Sequence, residues 1–496
     1  MELVGTTRRS GNSEGSALSH RGFSVVIVGG GFSGAMLAVQ LLRRSPGLSI
    51  AVVDKGPVPG RGVAYSTKYD CHLLNVPAGN MSAFPEEPNH LLRWAQVNYK
   101  GSVQTTSFLP RPLYGRYVGS VLEEAIVLSG ADNFQWIQGE VSSIARDRHR
   151  IRVELEDKSA LSTETLVLAV GNFPPANLNI PGISTQSKRH FRSLWASAAL
   201  EDIPRDGSVL LIGSGLTSVD VTVALKSEGF TGDVHILSRR GLMPRTHCQT
   251  RRWPQFWNRQ CPRTIRGLLR LVREQVQVAS DAGVDWRAVI DALRPATQDI
   301  WQSLPLDERK RFLRHVRPYW EVHRHRIAPE VGDTIARFIH DGQVSLHAGR
   351  VTDYREDHDH VEVSLRDRNT RSPRLLRVDR VINCTGPETD CRRIDDPLIK
   401  SLLAQGFARP DPLFLGLDVN SDGALIDCSG VPSQSLYAIG PARKGSLWET
   451  IAVPEIRAQA SELAEHLARK LPWRGRNVDS LSPEAAAQGI APEALT

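Results

Sequence analysis

The chain has 496 residues, more than one ordinary hydrophobic core holds, so two or three domains are expected. With 41% hydrophobic residues and a mean hydropathy of -0.26 it reads as a soluble globular protein, which excludes membrane-spanning and disordered classes. The formal charge of +7 comes mainly from arginine, only ten of the 61 basic residues being lysine, and no basic run interleaved with aromatics marks a nucleic-acid interface.

Residues 1–20 are expected to form a flexible Gly/Ser-rich leader. The most apolar stretch, 23–42, follows Arg21, yet glycines interrupt it at strand-to-helix spacing and no cleavage site follows it. It is therefore neither a signal peptide nor an anchor. It predicts instead a strand at 24–28, a turn carrying Gly29, Gly31 and Gly34, and a helix to about Arg44; a second strand, "LSIAVVD", ends at Asp54. A Gly/Pro-rich segment at 56–90 and helical material including "RPLYGRYVGSVLEEAI" come next. "FQWIQGEVSSIARDRHRIRVEL" alternates like a strand pair or meander, and "TLVLAVGN" is a buried strand stopping at Gly171.

A second unit repeats this grammar. It has a strand at 208–212, a turn with Gly213, Gly215 and Ser218, a helix to about Ser227, and the strand "GDVHILS". A long insert at roughly 245–335, with five of the ten tryptophans, separates it from another alternating stretch and from "DRVINCTGP", which ends at Gly386. After Gly386 come a strand, a glycine turn and a closing helix, and that strand is expected to complete the first sheet. The fold class is α/β: two dinucleotide-binding, Rossmann-like domains of three layers, with a helical insert in the second. The expected first domain is discontinuous, 21–185 and 387–472, the second spans 186–386, and 473–496 is a loose tail.

The first turn has full G-x-G-x-x-G form between a strand and a helix. Gly29 permits the tight turn, Gly31 lets a pyrophosphate approach the backbone, and Gly34 lets helix and strand pack closely, with the helix N-terminus facing the phosphates. Asp54, twenty positions past Gly34, is placed to accept ribose hydroxyls, with Lys55 and Val141 counted among the same cofactor contacts. In both units the informative position lies 25 residues after the first glycine. In the first unit it is Asp54; in the second it is Ser238, followed by Arg239 and Arg240. An aspartate repels a 2′-phosphate, whereas serine and two guanidiniums bind it through charge-assisted hydrogen bonds. The alternative is that the two arginines form a solvated turn. FAD in the first cradle and NADPH in the second is the economical assignment, giving hydride transfer from nicotinamide to flavin. Gly171, Gly386, Gly440 and Ala442, at the ends of later strands, complete the expected cofactor contacts.

The six cysteines are irregularly spaced and form no C-x-x-C pair, which points to a reducing cytoplasm and away from both zinc and a flavin-linked dithiol. No metal is expected.

The combination of "GGGFSGAMLAVQLL", "GRGVAYS", "HLLNVPAGNMSAFP", "FLPRPLYGRY", "GSGLTSVD", "WEVHRHRIAP" and "SLWETIAVPEIR" resembles a bacterial FAD/NAD(P)-binding family. That family includes flavin-dependent urate hydroxylases and aspartate N-hydroxylases, and the resemblance covers about residues 22–470. It implies a single-component flavoprotein monooxygenase: NADPH reduces FAD, O2 adds to give a C4a-hydroperoxide, and the distal oxygen passes to a nucleophilic atom. It also implies that "HLLNVPAGNM" lies along the isoalloxazine, placing Asn75 and Met81 at the flavin face; an ordinary Asx turn is the other reading of Asn75. One departure is "YAIGPA", where Pro441 stands in place of an acid that many two-dinucleotide flavoproteins direct at the ribityl chain.

On the substrate side, Trp320, His323, Arg324, His325 and Arg326 fall within one short segment. They suit an anionic, nitrogen-containing small molecule, since arginine supplies a planar fork and tryptophan a stacking face. Alternatively they are a basic helix end paired with insert acids such as Asp307 and Glu308. Trp448 and Glu449 either sit at the flavin mouth or, in the case of Trp448, cap the last helix. Beside the monooxygenase stand two other classes, an FAD/NADPH oxidoreductase without oxygen insertion and a non-catalytic redox sensor.

Overall fold

The computed structural model describes residues 22–471 other than 148, 185 and 196–198; the expected leader and tail lie outside the described residues. The first unit opens with β1 (Gly22–Val28), α1 (Phe32–Arg44) and β2 (Ile50–Asp54). After α2 (Arg111–Ser129) come β3 (Phe134–Gln138), β4 (Val141–Asp147), β5 (Arg150–Leu155) and β6 (Ala160–Leu168). The apolar run of β1 is flanked on both edges by parallel strands, pairing Val25 with Ile50 of β2 and with Thr165 of β6. That explains why it is continuously apolar rather than alternating.

The second unit follows with β7 (His190–Phe191), β8 (Ser208–Ile212), α3 (Leu216–Ser227) and β9 (Asp233–Ser238). The insert is helical: α4 (Ile265–Asp281), α5 (Trp286–Leu293), α6 (Thr297–Ser303), α7 (Leu306–Arg311), α8 (Arg317–Arg324) and α9 (Pro329–His340). Then come β10 (Val344–Glu356), β11 (Val361–Asp367), β12 (Pro373–Val378) and β13 (Arg380–Asn383). The chain closes with α10 (Pro397–Ala404), β14 (Ala424–Ile426), β15 (Pro432–Ala438) and α11 (Val453–Lys470).

Two sheets result. The first has the order β14-β15-β6-β1-β2-β3, with β4 and β5 forming an antiparallel extension, and the second runs β12-β11-β10-β9-β8-β13-β7. Strand β15, from near the C-terminus, pairs in parallel with β6 through Tyr437 and Val167. Alternate side chains of β1 divide the core: Val25 and Ile27 pack beneath α1, α2 and α11, whereas Val26 and Val28 face the hairpin and α10. The second sheet is covered likewise, with Val209 and Leu211 on one face and Leu210 and Ile212 on the other. This is the three-layer, parallel-sheet α/β architecture, built twice. Both glycine turns stand at the C-terminal ends of their sheets, where open α/β sheets bind ligands.

Candidate functional site

In the first cradle Gly29 holds φ at +103°, and a Cβ there would stand 2.2 Å from the carbonyl oxygen of Ala169 at the end of β6. A Cβ at Gly34 would lie 1.9 Å from the Gly29 carbonyl oxygen, so both positions admit only glycine. Helix α1 starts at Gly31 without a side-chain cap, which leaves its first-turn amides and its positive end for an anion. Asp54 closes the turn: one carboxylate oxygen accepts from Gly30 N at 2.6 Å and the other from Gly56 N at 2.7 Å. Each oxygen keeps a second lone pair for a ribose hydroxyl. Lys55 pairs with Glu140 and Asp396, and Val141 is buried at the start of β4.

The second cradle repeats these contacts with different atoms. Gly213 has φ of +120° and lies against the Cys384 carbonyl at the end of β13, as Gly29 lies against Ala169. Ser218, standing for the third glycine, is fully buried and donates its hydroxyl to Gly215 O at 2.7 Å. Helix α3 also lacks a side-chain cap. Around Gly215, Gly171 and Gly386 there is open space where a Cβ would project. Ser238 Oγ accepts from Gly241 N and bonds Ser214 Oγ, whose own proton goes to Leu242 O, while Arg239 is exposed and Arg240 half-buried, neither with a carboxylate partner among the described residues.

Between the units lies a cleft lined by Leu74, Asn75, Arg111, Leu216, Asp220 and Ile327. The Asn75 carbonyl accepts from His247 Nε2 at 3.0 Å, and its side-chain amide makes no hydrogen bond with the described residues. Burial, then the nearby Arg326, brings the His247 imidazole down to about 4, so it is neutral and donates. Arg111 grips Asp220 of α3 through two bonds of 2.7 and 3.0 Å, and His72 Nε2 donates to the Asp220 carbonyl, fastening one unit to the other. Met81 is packed in the first core, its carbonyl bonded by Tyr114. A second cleft, at the C-terminal end of β6, brings Gly171, Thr389, Gly416, Pro441, Ala442 and Lys444 together.

The C-terminal turn is clamped from both sides. Gly440, with φ of +75°, abuts Ser33 in the first turn of α1; its N–H donates to Gln459 and its carbonyl accepts from Thr450. From the insert, Gln298 donates to Glu449 O, Trp301 to Gly445 O and Trp320 Nε1 to Glu449 Oε1.

These contacts correct two expectations. Trp448 does not cap the last helix, which starts at Ala452 without a side-chain cap. Trp448 is 4% exposed, stacked on Trp301 at 5.0 Å and packed with Phe312 and Ile265 in the core of the insert. The basic segment does pair with acids of the insert, but with Glu321 and Asp291 rather than with Asp307 and Glu308. Asp307 meets Lys310, and Glu308 caps Ile265 N and binds Arg311. Instead Arg324 faces Glu449 and Glu455 at 3.7 and 3.8 Å, His325 binds Glu321 at 2.6 Å, and Arg326 binds Asp291. His323 stacks edge-on against Trp286 and bonds the Tyr319 carbonyl. Burial alone lowers a histidine's pKa, but the carboxylates of Glu321 and Glu449 outweigh it and raise His325 to about 9. Glu321, which burial would raise, is brought down to about 2 by His325, Lys444 and Arg317.

Several functional contacts are not evident from motif spacing. Trp136 of β3 lies against Gly30, with its indole N–H buried and lacking an acceptor among the described residues. Arg111, Gln459, Tyr319 and Arg368 likewise act through distant partners. One signal does lie in the sequence: residues 234–273, from β9 into the insert, contain ten arginines and no acid, a strongly positive run. Among the described residues no group of side chains has the makings of a metal site, and no helix is long and apolar enough to cross a membrane.

A family model described as FAD-NAD(P)-binding matches residues 26–173, the span that holds the first cradle. Among solved structures the chain is similar to the ornithine N-hydroxylase of Kutzneria sp. 744 with reduced FAD, NADP+ and L-ornithine. The two share 15% identity over 91% of this chain and 100% of that one, with a TM-score of 0.62. The FAD-bound cadaverine monooxygenase of the desferrioxamine pathway from Erwinia amylovora shares 15% identity over 96% and 100%, with a TM-score of 0.61. The bacillithiol disulfide reductase of Bacillus cereus shares 14% over 91% and 100%, with a TM-score of 0.53. At these identities the likeness establishes the fold. A comparison with curated proteins by sequence found no match.

Proposed function

We propose that this chain is an NADPH-dependent FAD monooxygenase that hydroxylates a small nitrogen-containing substrate. The observation that carries the reading is the shared cleft: Asn75, on the loop assigned to the flavin face, and Leu216, the first residue of the helix after the second cradle, line one space between the two units. That is where a nicotinamide and a flavin held by the two cradles would meet. We further propose the domain division 21–185 with 387–472 for FAD and 186–386 for NADPH.

Gly29, Gly31, Gly34, Asp54 and the Gly440–Ala442 turn would hold FAD; Gly213, Gly215, Ser218, Ser238, Arg239 and Arg240 would hold NADPH. The donors fit these groups. Two helix starts without side-chain caps leave first-turn amides for phosphates, and open space stands where a Cβ would project at Gly215. Bound FAD supplies a two-electron acceptor for hydride and a centre at which O2 is activated. Asp54 takes ribose hydroxyls, the Asn75 amide is free to donate to a ring carbonyl, and neutral His247 fixes that loop through the Asn75 carbonyl.

Nitrogen as the acceptor atom follows the neighbours, whose names give ornithine and cadaverine as substrates. An anionic substrate held by Arg324 to Arg326 finds less support, because Arg324 and Arg326 face carboxylates of the chain itself. A dithiol reductase is the less favoured reading. All six cysteines are free, and burial pushes the Cys384 thiol upward and that of Cys391 up to about 11, away from thiolate chemistry. The test is NADPH oxidation in air by the FAD-loaded protein with a panel of diamines, amino acids and purines, following oxygen uptake, peroxide and product mass. A substrate that gains one oxygen atom is expected. Rapid electron transfer to a disulfide or quinone with no oxygenated product would establish the reductase instead.

A further inference from the structure

The two arginines at the end of β9 are positioned by elements far from them in sequence. Arg240 donates through Nη1 to the Tyr319 hydroxyl at 3.0 Å, and its guanidinium lies 5.0 Å from the centre of the Tyr319 ring. Tyr319 belongs to α8 of the insert. On the other side Arg368, in the turn between β11 and β12, donates through Nη1 to the carbonyl of Arg239 at 3.1 Å. The Arg368 backbone N–H is itself bonded to Ala348 O, and Ala348 is the β10 residue in register with Ser238. The turn is thus anchored directly beside the strand end that carries the cradle's distinguishing residue.

Arg239 and Arg240 follow Ser238 directly in the chain and Arg368 is bonded to the Arg239 carbonyl, so three arginines are linked at this strand end, and none of them has a carboxylate partner among the described residues. The nearest acid in the turn, Asp367, is engaged by Asn369 N, Thr370 N and the Thr370 hydroxyl. Three like charges at one strand end repel where they approach, and a dianion bound there makes their approach favourable. A stacked, hydroxyl-bonded Arg240 also has fewer rotamers to lose when it binds.

We infer that Arg368 is a third arm of the 2′-phosphate site and that Tyr319 is the brace that presents Arg240. The inference rests on the NADPH assignment and deepens it: nucleotide selectivity is set jointly by the cradle, the β11–β12 turn and the helical insert. Arg368 is a specificity residue, whereas Tyr319 is a positioning residue that acts through Arg240.

The experiment is calorimetric titration of the FAD-loaded full chain with two probes, 2′,5′-ADP and 5′-ADP, which differ by the phosphate in question. The wild-type protein is expected to prefer 2′,5′-ADP by more than tenfold, and this ratio should fall as salt is raised. Arg368→Ala and Arg368→Gln should each lower the ratio by about tenfold and leave 5′-ADP affinity unchanged, which also reports that the fold is intact. Tyr319→Phe, which keeps the ring, should lower the ratio a few-fold, and Tyr319→Ala should lower it further. If the Arg239→Ala/Arg240→Ala double variant abolishes the preference while the Arg368 and Tyr319 variants keep it, the inference is overturned and the cofactor assignment stands. If the wild-type protein shows no preference between the probes, both fail.

Discussion

The Ser214 and Ser238 hydroxyls are hydrogen-bonded over 2.8 Å, and Gly30 donates to Asp54 over 2.6 Å at the equivalent place in the first unit. The residue between the two glycines of each turn is therefore tied to the end of the following strand, and only the chemistry of that end differs. Replacing Ser238 by Asp should preserve the tie, since a carboxylate accepts from Gly241 N as the hydroxyl does now and takes the Ser214 proton that at present goes to Leu242 O. It would also put a negative charge where a 2′-phosphate is proposed to bind. The expected outcome is a loss of about 2 kcal/mol, roughly thirtyfold, in kcat/KM for NADPH with NADH unaffected or improved. Steady-state kinetics with both nucleotides decide it; equal losses would mean that the strand end does not sense the phosphate.

Asp54→Asn tests the first cradle. An amide has one acceptor oxygen, so its NH2 must face either Gly30 N or Gly56 N, both of which now donate to the carboxylate. The turn loses one bond and gains a donor–donor contact. Flavin affinity should fall by about 1.5–3 kcal/mol, which is tenfold to a hundredfold. Fluorescence titration of FAD into the apoprotein measures it, and an unchanged Kd would limit Asp54 to closing the turn.

What the sequence made legible was local and periodic. The glycine spacings forecast both strand–turn–helix units because Gly29, Gly34 and Gly213 answer contacts within their own turn or with the strand next door, as Gly34 does with Gly29. Long-range partners were illegible for the same reason. Trp320 finds Glu449 across 129 positions, whereas the nearer acids Asp307 and Glu308 turn to their own helix or to the start of α4. Trp136 sits in an alternating strand, and alternation does not say that its ring will reach Gly30 of another turn. Trp448, close in sequence to Gly440, was drawn into the insert core by the ring of Trp301.

The buried His325–Glu321 pair makes a pH prediction with a definite sign. The His325 pKa is raised to about 9 in the folded chain, so its contribution to stability is complete below about 6.5, the value for an unfolded histidine, and is lost as pH rises through 9. Glu321 is depressed to about 2, so its contribution is present above about 4.3 and is lost as pH falls through 2. Tm should therefore decline between pH 6.5 and 9 in the wild-type protein, and the decline should be shallower in His325→Gln. Scanning calorimetry across that range checks it; parallel curves for the two proteins would show that the pair is not what titrates.

Arg324 and Glu449 are 7% and 3% exposed and 3.7 Å apart, with Glu455 at 3.8 Å on the same guanidinium and bound in turn by Arg294 through two bonds of 3.0 and 3.1 Å. A buried charge that loses its partner costs far more than the pair itself contributes, so Arg324→Ala should destabilise by about 3–5 kcal/mol. The double variant Arg324→Met with Glu449→Gln removes both charges and should cost clearly less than the single change. Arg324→Lys separates a structural role from a substrate role. Both contacts come from one nitrogen, Nη2, and a shorter, more strongly hydrated ammonium would reach this buried place less well, so Tm and turnover should fall together while KM for the substrate stays constant. If instead Arg324→Lys keeps its Tm and raises KM tenfold or more, Arg324 reads the substrate directly and an anionic ligand returns to the insert.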